Sequence, residues 1–161
     1  MTPEKAVERA RSAIGQGCVY ALGRGGMHPE ATFPWNAQKE CDCSGFAMWA
    51  LGLSRHQEPS VNATSGLWYD TSRIVHDATH EHALFNAFPW ELAAIGDLIV
   101  YGDRDGHQGH VGVVCTVNEE GPATVTHCSH GNWTHLGDAI RETAPGPWRL
   151  RQDTILARRI A

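Results

Sequence analysis

The chain has 161 residues, with thirteen Lys and Arg against eighteen Asp and Glu and a formal net charge of -5. That length fits one domain, and 42% hydrophobic with 19% charged residues excludes a disordered chain. The charge has the wrong sign for nucleic acid, and the longest run without a polar side chain, Gly45 to Leu53, is nine residues, less than half of the roughly 20 that a membrane-spanning helix needs.

The first twenty residues lack the long apolar segment and small-residue cleavage site of a secretory signal. The expectation is a product that stays cytoplasmic until lysis, injection or another delivery route exports it. Thr2 as cap, Pro3 in the first turn and Ala6, Val7, Ala10, Ala13 and Ile14 at three-to-four spacing predict an opening helix, ended by Gly15 and Gly17. Val19 to Lys39, rich in Gly and Pro without periodicity, reads as a long surface loop. Its Phe33 and Trp35 suit either a substrate-groove wall or a cover over the core.

Asp42 or Ser44 then caps a helix whose Phe46, Ala47, Trp49, Ala50 and Leu51 surround most of its circumference, so it is central and buried. A weaker helical pattern covers Leu67 to His76. Four short runs rich in Val, Ile, Thr and Tyr follow, at Asp97 to Tyr101, His110 to Val117, Ala123 to Cys128 and Thr154 to Ile160. They read as antiparallel strands. Helices first and strands afterwards predict a single α+β domain over residues 1–161, with the N-terminal helices packed on one face of a central antiparallel sheet. The four arginines from Arg149 to Arg159 read as a solvated strand and its flank.

Cys43 stands where the loop turns into the buried helix. Thiolate is the reactive form of cysteine, and the unpaired N–H groups and positive dipole end of a helix favour it, so the sulfur is expected to be ionised. A cysteine nucleophile needs a base, and His110 opens one apolar strand while His127 closes another. In an antiparallel pair such ends meet at one sheet edge, which allows a Cys-His-His row: His110 takes the thiol proton and His127 orients its ring. His107 is the alternative base and His130 the alternative third member.

The ordered blocks Asp42-Cys43-Ser44-Gly45-Phe46, Gly96-Asp97-Leu98-Ile99 and Gly109-His110-Val111-Gly112-Val113, with Tyr20-Ala21-Leu22-Gly23 upstream, resemble the signature of the NlpC/P60 family of cysteine peptidases. The resemblance implies a papain-like fold with Cys43 as nucleophile, His110 as base and His127 as third polar member. It further implies that Tyr20 lies beside the thiolate and that Asp42 and Ser44 receive a substrate amine or backbone. The implied substrate is a peptidoglycan stem peptide, cut between D-glutamate and the following diamino acid without metal or other cofactor. An inhibitor or immunity protein is left open.

Three other readings use the same residues. Cys41, Cys43, His107, His110, His127, Cys128 and His130 are all zinc-ligand types, although no CxxC pair or HExxH element organises them. An acyltransferase would pass the acyl group to an acceptor other than water, and a binding module would keep the groove without turnover. Of the remaining cysteines, Cys18 and Cys115 read as core, Cys128 as facing away from His127, and Cys41 as core or a site of disulfide regulation. Asp97 suits a turn more than catalysis.

Overall fold

The computed structural model describes residues 1–57 and 67–160. Helix α1 (Pro3–Ser12) starts where the backbone N–H of Lys5 donates to Oγ1 of Thr2, and it buries Ala6, Val7 and Ala10. The long loop that follows is tied at both ends. Strand β1 (Val19–Tyr20) runs parallel to β2 (Glu40–Cys41), pairing Tyr20 with Cys41 and bringing the loop's start beside the next helix.

That helix, α2 (Cys43–Ala50), is capped by Asp42, whose Oδ1 accepts the N–H of Gly45 at 2.8 Å. All eight of its residues are buried, as its all-round apolar pattern requires. The loop covers it closely: Nε1 of Trp49 donates to the Ala31 carbonyl, and a Cβ at Gly45 would stand 2.6 Å from the Arg24 carbonyl oxygen. Only glycine fits there.

A two-stranded ladder, β3 (His56–Gln57) with β4 (Leu67–Trp68), precedes helix α3 (Thr71–His76). The helical pattern expected from Leu67 is therefore a strand first. Its helix starts only after Asp70, whose carboxylate accepts the N–H of Arg73 and ends the extended segment. A π-helical turn over Asp77–Glu81 continues α3, and the buried Asp77 carboxylate collects the N–H groups of Ala83, Leu84 and Phe85 beyond it.

The sheet has six strands, β5 (Phe85–Phe88), β6 (Leu98–Tyr101), β7 (His110–Asn118), β8 (Gly121–Cys128), β9 (Ile140–Thr143) and β10 (Ile155–Arg159). Their order is β5-β10-β6-β7-β8-β9 and every pairing is antiparallel. The fold is therefore α+β. Alternation along the strands divides the interior into two cores: Leu98, Val100, Val111 and Val113 meet α1 and α2, while Ile99, Val114, Val125 and Leu156 meet Trp148 on the opposite face.

Two expectations need correction. The arginine-rich last strand is interior, paired on both sides, with Leu156 and Ala157 buried; Arg158 is partnered by the buried carboxylate of Asp97 at 2.7 Å. The helices also do not all lie on one face, because α5 (Gly146–Arg149) carries Trp148 under the other. A short helix α4 (His130–Leu136), with no buried residue, joins β8 to β9. No helix among the described residues is long and apolar enough to cross a membrane.

Candidate active site

Asp42 fixes the first turn of α2 and therefore the position of Cys43. Its Oδ1 accepts from Gly45 N–H and from the Ser44 hydroxyl at 3.2 Å, and its Oδ2 accepts from Gly23 N–H at 2.6 Å. The buried Arg55 guanidinium completes the arrangement, donating to Asp42 Oδ1 at 2.9 Å, to Ser44 Oγ at 2.8 Å and to the Arg24 carbonyl at 3.0 Å, with Trp68 stacked 4.3 Å from its centre. A charge this deep persists only because it is paired and hydrogen-bonded.

Cys43, Tyr20, Asp42, Ser44 and Arg55 line one cleft of about 200 Å³, with Asp70 and Asp103 contributing carboxylates to its wall. The sulfur is nearly enclosed, since Cys43 is 5% exposed. Burial first, and the adjacent Asp42 carboxylate second, push its thiol up to about 12; the N–H groups of Val111 and Ser44 and the Arg55 cation pull the other way. The expected ionised sulfur is thus a neutral thiol in the resting site. Desolvation and a neighbouring negative charge outweigh the end of an eight-residue helix. Burial, and then Cys43 itself, hold the Tyr20 phenol above its ordinary value.

The two histidines meet on the sheet. Nε2 of His110 lies 2.9 Å from Nδ1 of His127, with the rings at 83°. Trp148 backs both, stacked on His110 at 5.0 Å and edge-on to His127 at 5.2 Å. Gly112 is the spacer that permits this contact, because a Cβ there would collide with Val125 and stand 3.1 Å from the His127 Cβ. Burial, followed by the charge of its neighbour, pulls His110 down to about 3, and burial pulls His127 down to about 4. Both rings are neutral at pH 7.

Cys43 reaches this pair through the backbone: its sulfur faces the N–H of Val111, the residue after His110. No hydrogen bond joins the sulfur to either ring among the described residues, and neither ring is among the residues that line the Cys43 cleft; both pack against Trp148. Of the alternatives, His107 is exposed in the turn with Arg104, and His130 packs edge-on to Tyr20 at 5.9 Å and to Trp133 at 5.6 Å. Phe33 and Trp35 stack on each other at 4.5 Å and line a separate cavity, away from the Cys43 cleft.

Cys18, Cys41 and Cys128 are fully buried free thiols, and Cys128 packs its sulfur on the Cys41 carbonyl at 3.4 Å. Among the described residues no three His, Cys, Asp or Glu side chains are grouped to hold a metal ion. Sequence reasoning missed Arg55 and Trp148. Arg55 is marked only by its place just after the buried helix, and Trp148 only as an aromatic within a Gly-Pro turn.

No protein-family model and no curated protein matches this chain. Among solved structures, the crystal structure of Ly7917 is similar at a TM-score of 0.52 with 13% sequence identity. The match covers 97% of this chain and 62% of that one, so this chain spans less than two thirds of its neighbour, and at such identity the likeness concerns the fold alone.

Proposed function

We propose that the protein is a papain-like cysteine hydrolase of the NlpC/P60 type, cutting amide bonds in peptidoglycan stem peptides through an acyl-enzyme on Cys43. The observation that carries this reading is a cleft-lining cysteine at a buried helix start whose sulfur faces the N–H of Val111, the residue after His110, which is itself hydrogen-bonded to His127. A structural cysteine would need neither the cleft nor the paired imidazoles.

The chemistry follows from the resting charges. A thiol near 12 beside a neutral imidazole stays protonated until a carbonyl carbon is presented, so proton transfer to His110 accompanies attack. Hydrogen bonds of this kind are often long in a free enzyme and tighten around substrate. The sulfur–carbon bond forms, and a backbone N–H at the start of α2 receives the oxyanion. Collapse then breaks the carbon–nitrogen bond, the amine leaves with the proton from His110, and water delivered by the same ring hydrolyses the thioester.

Asp42 and Ser44 are partly committed to Arg55, and their remaining lone pairs, with Asp70 and Asp103 on the wall, suit a substrate ammonium better than an anion. Digestion of defined muropeptides, read by mass spectrometry, tests the reading. Parent protein should release fragments ending at D-glutamate, and Cys43→Ala should release none. Equal cleavage by both, or none by the parent on any stem peptide, overturns it; transfer to an added amine would reassign the enzyme as an acyltransferase.

A further inference from the structure

Two proton arrangements fit the spacing of His110, His127 and Thr143, and they run in opposite directions. In the first, Nε2–H of His127 donates to Oγ1 of Thr143 at 3.1 Å, and bare Nδ1 of His127 accepts from Nε2–H of His110 at 2.9 Å. Nδ1 of His110 is then left with a free lone pair. In the second, Thr143 donates to His127 and His127 donates to His110, whose own proton must sit on Nδ1. No base then remains for a thiol.

A threonine hydroxyl has one proton, and it goes to the neighbour that cannot itself donate, because otherwise two acceptor oxygens would face each other. Oγ1 of Thr143 lies 3.1 Å from the Ala144 carbonyl oxygen, which can only accept. Thr143 therefore meets His127 as an acceptor, and the first arrangement follows. The strand register supports it: His127 pairs with Arg141 across β8 and β9, so Thr143, two residues along, is its diagonal neighbour on the same face.

We propose that Thr143 is a positioning residue that fixes the tautomer of His127 and, through it, leaves Nδ1 of His110 as the proton acceptor of the site. The purpose of this relay rests on the hydrolase reading, whereas the tautomers themselves do not.

The test is the two-bond nitrogen–proton correlation spectrum of histidine-labelled protein at neutral pH, alongside the rate at which iodoacetamide alkylates Cys43. In the parent both rings should carry their proton on Nε2. Thr143→Val keeps the shape and suits a strand but removes the acceptor; it should convert a measurable fraction of His127 to the Nδ1–H form and slow Cys43 alkylation at least about tenfold. Thr143→Ser should keep both readouts near the parent. A parent His127 protonated on Nδ1, or a valine variant with unchanged tautomers, overturns the relay. Expected tautomers in a parent that cuts no stem peptide would uphold the relay and remove the hydrolase reading instead.

Discussion

Acidification should unfold this protein through two particular side chains. His110 and His127 sit near 3 and 4 in the folded chain, against an ordinary 6.5. Between those values the unfolded chain binds more protons than the folded one, so stability is full above 6.5 and falls as pH drops toward 4 and 3. At pH 4.5 the linkage amounts to about 2.5 kcal/mol per ring, or about 5 kcal/mol for the pair, reduced to about 3 kcal/mol once the solvent access of partly buried His110 is allowed for. That is a large share of the roughly 5–15 kcal/mol that holds a domain folded. Urea unfolding at pH 7.0 and 4.5 measures it, with a His110→Asn/His127→Asn double variant as reference. The parent should lose about 3 kcal/mol over that interval and the variant much less. Equal losses in the two proteins, or none in the parent, would refute the neutral-pair account.

Arg55→Met should destabilise the protein by about 3–5 kcal/mol, because it leaves the buried Asp42 carboxylate without its cation; a loss below about 1 kcal/mol in urea unfolding would show that the N–H groups around Asp42 suffice. Gly112→Ala should cost about 1–3 kcal/mol by driving a methyl group into Val125 and against His127. The same nitrogen–proton spectra should show His110 and His127 separated in that variant, and an unperturbed pair would contradict the role of Gly112 as spacer.

Much of the architecture was legible because local chemistry and tertiary context agree. Thr2, Asp42 and the all-round apolar run after it predict α1 and α2 almost to the residue, and the runs from His110 and Ala123 fall inside β7 and β8. Strands β5 and β9 escaped because four-residue segments with mostly half-exposed side chains carry too little alternation to read. Helix α4 escaped because it has no buried face. At the candidate site, residue types at element ends pointed to Cys43, His110 and His127, and the structure puts Cys43 at the start of α2 and brings the two imidazoles together. The charge state was not readable, since beyond the adjacent Asp42 it depends on burial, to which residues as distant in the chain as Arg55 and Trp148 contribute by packing over the thiol and the rings. Arg55 lies eleven residues beyond Ser44 and Trp148 lies 38 beyond His110, separations that no local pattern spans.

The most direct measurement is an acid quench of the protein turning over a defined stem peptide, followed by peptide mapping in the mass spectrometer. A thioester of the acyl fragment on Cys43, absent from Cys43→Ala and greatly reduced in His110→Ala, is the expected result. Product formation with the fragment on another residue, or undiminished in Cys43→Ala, would contradict the account.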